Sequence, residues 1–253
     1  MYTDEQFEKL EQEERELTNE AIALMLLILA NTKRNLEKEL RSFYQKYGKD
    51  GVVTWQEARK WVGEKDHRRR ITALMLYLSG EFISALSKLT PKFRGFLTEV
   101  VEKEMGFFEV DIDLDDILSA TWGVDEATWL TRLEDDVELW SMYVGNDIKR
   151  SIMRRDDIEK VLKLLDKRFM SMENIVEKLA MTESTAVGSI ARREIFKELG
   201  IKKYRYYARE DERTCEVCGS LHGLEFPISA YEVGVNASPI HPWCRCWEVP
   251  IMD

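Results

Sequence analysis

The stretch TDEQFEKLEQEERELTNEAIALMLLILANTKRNLEKELRSFYQK, residues 3–46, contains neither glycine nor proline. Thr3 and Gln6 fit a capping box, in which two side chains satisfy the free backbone groups at the start of a helix. Nothing breaks the helical pattern before Gly48. The stretch therefore predicts one long helix, or two nearly continuous ones. It suits a rod or hairpin that reaches towards a partner, or a helix of an ordinary bundle.

The chain around this stretch also favours helices. It has 253 residues with only 13 Gly and 5 Pro, and long segments lack both. Hydrophobic residues make up 44% and charged residues 33%, which is typical of a globular protein rather than a disordered chain. The length allows one large or two modest domains with a real core.

Further helices are predicted downstream. A second capping pattern at Thr54 and Glu57 predicts a helix that carries Trp61. Residues 68–89 have the helical period, and the pair Thr90-Pro91 is expected to end that helix and start the next. The apolar face of 68–89 consists of Leu74, Leu78, Phe82, Ala85 and Leu89.

The acidic segment from Gly106 to Asp116 invites a calcium interpretation, which the spacing does not support. Counted from Asp111, an EF-hand needs glycine at its sixth position and glutamate at its twelfth. These positions hold Asp116 and Trp122. We interpret the segment as a solvated loop that leads into the N-terminus of the next helix, where aspartate is favourable.

The formal net charge is −10, so any contact with nucleic acid must be local. The first residues show no secretory signal, and the most apolar run, Ala21 to Ala30, is too short for a membrane span. We therefore expect the protein to stay in the cytoplasm where it is made, without a membrane partner. Disulfides are unfavourable in that reducing compartment.

Glycine and proline crowd the last 50 residues, and all four cysteines lie there. Cys215 and Cys218 form a CxxC pair, and His241, Cys244 and Cys246 follow about 23 residues later. Closed structural zinc sites take four ligands of these types. Cys215 and Cys218 are the safest ligands, and two of the other three candidates complete the set. We favour His241 and Cys246, or Cys244 in place of one, because neighbouring alternate residues of an extended strand lie about 6–7 Å apart.

Two alternatives to a metal remain. The cysteines are structural without an ion, as thiols or as a strained Cys215–Cys218 disulfide, or a cysteine is catalytic, with Cys244 paired to His241 or His222. A nuclease-like set of His222, Glu225 and His241 is a related enzyme hypothesis. We favour the metal, since this tail has too few large apolar residues for its own core. The prediction is thus a protein without a catalytic residue or a bound organic cofactor, and not an enzyme.

A locally basic segment between residues 192 and 213 offers a weak DNA contact, or else a mixed solvated surface. The residues that would make the contact are Arg192, Arg193, Lys202, Lys203 and Arg205.

The segments Asp211–Cys218, Leu221–Gly223 and Pro239–Cys246 resemble the signature of phage head morphogenesis proteins, the Mu F-like minor head protein family of tailed phages. The lead-in Thr182–Thr185 also fits. The N-terminal half is more loosely similar to the helical part of the minor capsid members. Trp243 departs from the small polar residue usual at its position, which adds a stacking or docking surface.

The resemblance implies a minor head protein present in few copies beside the portal. It would act in procapsid assembly, DNA packaging or ejection. Its partners would be the portal protein and the major capsid or scaffolding protein, and its location the virion after assembly in the host cytoplasm. The predicted fold is mainly α, a long-helix bundle with a small C-terminal α+β module stapled by a metal. The predicted domains are 1–181, helical, and 182–253, Mu F-like.

Overall fold

The computed structural model describes residues 3–63 and 67–252, and most of these residues are helical. The elements in this part of the chain are α1 (Asp4–Tyr47), α2 (Trp55–Ala58), β1 (Trp61–Val62), β2 (Arg68–Arg69), α3 (Arg70–Phe108), α4 (Leu114–Ser119), α5 (Trp129–Arg154), α6 (Ile158–Glu198), β3 (Lys203–Tyr207), α7 (Glu216–Leu221), β4 (Glu225–Pro227), a 3₁₀ turn (Ile228–Ala230) and β5 (Trp247–Ile251). The predicted fold class, mainly α with a small C-terminal α+β module, is confirmed.

The first helix is continuous, and its predicted capping box forms. The backbone N–H of Thr3 donates to Gln6 Oε1 over 2.8 Å, and the N–H of Gln6 donates to Thr3 Oγ1 over 3.3 Å. The helix ends at Tyr47, and Gly48 closes it with a bond to the Tyr44 carbonyl. The prediction of one long helix over 3–46 is therefore confirmed.

The prediction that Thr90-Pro91 ends a helix is wrong, because α3 runs through Pro91. Proline lacks the N–H that would bond the carbonyl four residues earlier, which costs the helix one hydrogen bond. Packing on the next turn offsets that loss. The ring of Phe93, fully buried, stacks on Trp129 with centroids 5.6 Å apart and planes within 4°.

The second capping pattern is confirmed, but the helix it begins is short. Thr54 Oγ1 accepts from the N–H of Glu57 over 3.2 Å, and α2 ends at Ala58. Trp61 was expected on this helix and lies instead in β1, paired with Arg69 of β2. The hairpin supplies partners for backbone groups that a longer helix would have satisfied.

The acidic segment forms the predicted loop and helix start. Asp113 caps α4, and its Oδ1 accepts from the N–H groups of Asp115 and Asp116 over 2.9 and 3.1 Å. This arrangement is typical of an N-cap aspartate.

The chain divides into two compact units, and α1, α3, α5 and α6 each contribute a segment to both. The four-helix unit comprises the described parts of residues 24–90 and 133–176. Its core contains the rings of Phe82, Trp140 and Phe169, with both Trp140 contacts at 4.8 Å between centroids. The predicted apolar face of 68–89 is buried here, as expected.

The Cys/His unit comprises the described parts of residues 1–23, 91–132 and 177–253. Its sheet is antiparallel in the order β4-β3-β5, so β3 is the central strand. Tyr204 and Tyr206 alternate along β3, and both are fully buried. The boundary at 181/182 falls inside α6 and stays a prediction.

Of the helices in the described ranges, none combines the length and apolarity that a membrane crossing requires.

Candidate metal centre

Helix α7 positions the CxxC pair. Cys215 is its N-cap, and its Sγ accepts from the backbone N–H of Cys218 over 3.3 Å. One short turn of helix therefore brings the two sulfurs to the same side. Cys218 is 2% exposed, whereas Cys215 is half-buried.

A turn after Pro239 carries the second set of candidate ligands, and α6 holds this turn in place. The N–H of Cys244 bonds the His241 carbonyl over 3.1 Å. Thr182 Oγ1 accepts from the N–H of Trp243 over 3.2 Å, and Thr185 Oγ1 donates to the Cys244 carbonyl over 3.2 Å. Thr182 and Thr185 are three residues apart and so share one helix face.

The turn holds Trp243 in the left-handed region, with φ at 67°. A bulky side chain rarely adopts this conformation, so the hydrogen bonds on either side of Trp243 must hold it there. Its indole is 44% exposed. The extra surface expected from this tryptophan is therefore present.

The candidate ligands form two groups that share Cys218. One group is Cys215, Cys218 and His241, and the other is Cys218, Cys244 and Cys246. Within each group all ligand atoms lie within 4.8 Å of one another. Cys218 Sγ is 3.3 Å from His241 Nε2 and 3.8 Å from Cys244 Sγ.

These distances fit a tetrahedral ion. With Zn–S bonds of about 2.3 Å and Zn–N bonds of about 2.0 Å, two sulfurs on one zinc lie about 3.8 Å apart, and a sulfur and a nitrogen about 3.5 Å. The Cys218–Cys244 and Cys218–His241 separations, 3.8 and 3.3 Å, agree with these values. The donor set is three buried thiols, one half-buried thiol and an imidazole, which is the chemistry that zinc prefers in structural sites.

All five predicted candidates thus converge, and Cys218 belongs to both groups. The expectation that Cys244 and Cys246 lie too far apart for one ion is wrong, because this segment precedes β5 and is not extended strand. No other His, Cys, Asp or Glu of the described ranges joins either group. Which four of the five would hold an ion stays a prediction.

Among the three buried sulfurs, negative charge is centred on Cys244. Hydrogen bonds from the thiols of Cys218 and Cys246 hold the pKa of Cys244 far below its ordinary value. The same bonds, together with burial, raise the pKa values of Cys218 and Cys246. The backbone N–H of Cys218 lowers the pKa of Cys215. Burial opposes a proton on His241, but a backbone carbonyl and neighbouring sulfurs raise its pKa. A thiolate at Cys244, beside the sulfurs of Cys218 and Cys246, favours a cation in this space.

The hydroxyl of Tyr206 contacts two of the buried cysteines in the cluster. Its hydroxyl donates to Cys218 Sγ over 3.5 Å and lies 3.9 Å from Cys244 Sγ. Sequence analysis did not single out Tyr206 as a neighbour of the ligands. The alternation along β3, which sends Tyr204 and Tyr206 to the same face, was the available signal.

The four cysteines, all within the described residues, are free thiols. Cys218, Cys244 and Cys246 are at most 5% exposed. A nucleophilic thiolate needs access to its substrate, so this burial favours a structural role. His222 lies outside both groups, and its Nδ1 is 3.2 Å from the backbone of Ala208.

Four of the predicted basic residues form ion pairs with carboxylates. Arg193 binds Glu194 over 2.8 Å. Arg205 and Lys203 lie 2.9 and 3.9 Å from Glu225. Lys202 is exposed.

Arg192 cannot belong to a DNA-contacting surface, because its side chain is 2% exposed and surrounded by carboxylates. Its Nη2 lies 2.6 Å from Glu11, 3.3 Å from Glu14 and in contact with Glu104. Its Nη1 lies 3.8 Å from Glu248. The guanidinium therefore joins α1, α3, α6 and β5 at the centre of the Cys/His unit, which its place in a basic segment did not predict.

The fold and the site define a class: a long-helix protein with a Cys/His-clustered C-terminal module suited to a structural metal. Residues 143–249 match the family model described as phage Mu protein F like protein. The match confirms, over less than half of the chain but including the whole Cys/His cluster, the resemblance to phage head morphogenesis proteins. Neither the curated proteins nor the solved structures gave a significant match.

Proposed function

We propose that this protein is a minor head protein of a tailed phage. In this proposal it associates with the portal and acts in procapsid assembly, DNA packaging or ejection. The observation that carries the proposal is the family match over residues 143–249, which encloses the entire Cys/His cluster. The protein would reside in the phage head and would perform no chemistry of its own.

Within this function the Cys/His cluster is a structural zinc site. Its ligands come from Cys215, Cys218, His241, Cys244 and Cys246, with Cys218 in every arrangement. The bound zinc would supply a fixed tetrahedral bond between α7 and the turn before β5. The burial of three thiols and their separations support this role over a reactive one.

The long helices and the exposed Trp243 support a role in protein contacts. Large apolar side chains such as Leu27, Ile83 and Met170 are more than half exposed within the four-helix unit. Exposed apolar side chains of this size mark protein contact sites when they gather in patches. The portal, the major capsid protein and the scaffold are the partners that we propose for them.

The test combines phage genetics with analysis of the proteins that purified particles contain. Phage carrying an early stop codon in this gene should yield few infectious particles, and the intact gene supplied in trans should restore them. Mass spectrometry of purified procapsids should find the chain in few copies, and the chain should co-purify with the portal protein when both are expressed alone. Normal infectivity of the mutant, or absence of the chain from every particle, would overturn the proposal.

The DNA contact predicted from sequence stays a prediction. Arg193, Lys203 and Arg205 already pair with carboxylates, which makes a strong contact less favourable. Retention on duplex DNA that falls steeply with salt, and that is lost on reversing the charges of Lys202, Lys203 and Arg205, would support it.

A further inference from the structure

Arg15 of α1 is an arginine without a partner among the residues that the structure describes. Its side chain is half-buried in the Cys/His unit, yet it forms no hydrogen bond or ion pair within the described residues. Its Nε–H is completely buried and unsatisfied. The two Nη groups at the end of the side chain are not buried, so their N–H donors are available to a ligand.

The surroundings of Arg15 are positively charged. Burial lowers the pKa of Arg15 most, and the charges of Arg209, Arg245 and Arg213 lower it further, against an opposing effect of Glu11. Asp211 is the carboxylate that these three arginines share, at 2.5 Å from Arg245, 3.9 Å from Arg209 and 4.0 Å from Arg213. Asp211 thus pairs with three arginines, whereas Arg15 pairs with no carboxylate of residues 3–63 and 67–252.

Arg15 also lines a cavity of about 740 Å³, together with Arg209. The lining also includes Tyr207 and Trp247, which stack with centroids 5.9 Å apart and planes at 19°. The His222 ring meets Tyr207 edge-on at 5.3 Å. The cavity therefore combines guanidinium donors with an aromatic wall.

Carboxylates that line the same cavity determine which kind of anion can bind there. Glu8, Glu11, Glu16 and Glu210 all border the cavity. Glu11 is bound by Arg192 at 2.6 Å, and Glu16 Oε1 accepts from Gln12. The charges of Glu8, Glu16 and Glu210 would repel a run of phosphates, but they would attract basic groups that flank a single carboxylate.

We propose that this cavity binds a protein segment in which one aspartate or glutamate is flanked by lysine or arginine, with the acidic side chain on Arg15. The guanidinium donates charge-assisted hydrogen bonds to the carboxylate, and Tyr207 and Trp247 contact the apolar parts of the segment. This inference stands apart from the proposed function, because its test measures peptide binding alone.

The test uses the full chain and two peptides, acetyl-Lys-Ala-Glu-Ala-Lys-amide and its twin with glutamine in place of glutamate. Isothermal titration should give an affinity at least about tenfold higher for the glutamate peptide, since a hydrogen bond to a charged group contributes about 1.5–3 kcal/mol. Arg15→Gln should abolish this difference. Arg34→Gln, at an exposed position of the same helix, is the matched control and should preserve it.

Three results would overturn the proposal: equal affinity for both peptides, no binding of either, or an unchanged preference in Arg15→Gln. A thymidine hexanucleotide that binds more tightly than the glutamate peptide would assign the cavity to nucleic acid instead. If Arg15→Gln does not fold, as judged by circular dichroism, Arg209→Gln at the exposed rim replaces it and should weaken binding of the glutamate peptide.

Discussion

Arg192 Nη2 lies 2.6 Å from Glu11 Oε1, although 181 residues separate the two in sequence. This ion pair joins the start of the first helix to the helix that carries Thr182 and Thr185. Because the same guanidinium also meets Glu14, Glu104 and Glu248, one positive charge holds together carboxylates from three elements besides its own.

Removal of the positive charge of Arg192 should destabilise the folded protein. In Arg192→Met the buried carboxylates remain without a cation, and removing one partner of a buried ion pair typically costs about 3–5 kcal/mol. We expect a loss of this size in the free energy of unfolding, measured by urea denaturation. Arg193→Gln is the control, since that arginine is partly exposed, and should cost less than about 1 kcal/mol. Equal losses in the two variants would contradict this account.

The same network should make stability depend on pH. Burial raises the pKa of Glu14 well above its ordinary value of 4.5, and Glu104 adds to the rise. A carboxyl group with a raised folded-state pKa stabilises the fold below its unfolded pKa, and this contribution is lost as the pH rises through the folded-state value. The wild-type protein should therefore lose stability relative to Glu14→Gln between about pH 5 and about pH 8.

Urea denaturation of the wild-type protein and Glu14→Gln at both pH values checks this prediction. Titration of the thiols affects both proteins alike, so it cancels in the difference between their free energies of unfolding. Glu16→Gln, at an exposed position of the same helix, controls for the loss of one surface carboxylate. A wild-type-minus-variant difference that is flat across this range, or that changes in the opposite direction, would refute the assignment.

Cys218 should be essential to the metal site, because it is the member that the two candidate groups share. We expect about one zinc per chain in untagged protein, measured by elemental analysis. Cys218→Ser should lose the zinc, whereas Ser220→Ala, on the exposed side of the same short helix, should retain it. Zinc retained at full stoichiometry in Cys218→Ser would reject a site centred on this residue.

Chelation should loosen the C-terminal module selectively. Hydrogen exchange should speed up in β3 and β5 after the zinc is removed, because binding energy of the ion contributes to folding in small modules. The buried part of α5 in the four-helix unit serves as the internal control and should keep its protection. If removal of zinc sped up hydrogen exchange equally in the C-terminal strands and in α5, or in neither, a local structural role of the ion would be contradicted.

Arg132 should fix the loop before α5. Its guanidinium binds Glu183 over 2.8 Å and Asp125 over 2.6 Å, and lies 4.3 Å from the ring centroid of Trp122. Glu183 is 1% exposed, so Arg132→Leu leaves a buried carboxylate without its cation and should cost about 3–5 kcal/mol.

Faster hydrogen exchange at residues 122–127 in Arg132→Leu would locate the effect. Arg94→Leu is the control, since its ion pair with Asp115 is largely exposed, and should change stability by less than about 1 kcal/mol. Unchanged exchange in the 122–127 loop of Arg132→Leu would be inconsistent with this role.

Local patterns predicted the elements well where the signal was contained within a few residues. The capping pairs at Thr3 and Thr54 form as expected, and the period of residues 68–89 gave the buried face of α3. Local patterns were wrong at Pro91 and Trp61. At Pro91, packing of Phe93 against Trp129 stabilises the helix. At Trp61, pairing with β2 places the residue in a strand instead of a helix.

The sequence by itself determined the mainly helical fold, the five candidate ligands and the family to which residues 143–249 are similar, because each depends on residue types at short spacings. Only the tertiary structure decided that Cys218 links the two ligand groups, that Arg192 is a buried ion-pair centre, and that Arg15 has no partner in the part of the chain that the structure describes. These properties depend on which distant side chains meet. Charge and burial at one position are therefore set by segments up to 181 residues away.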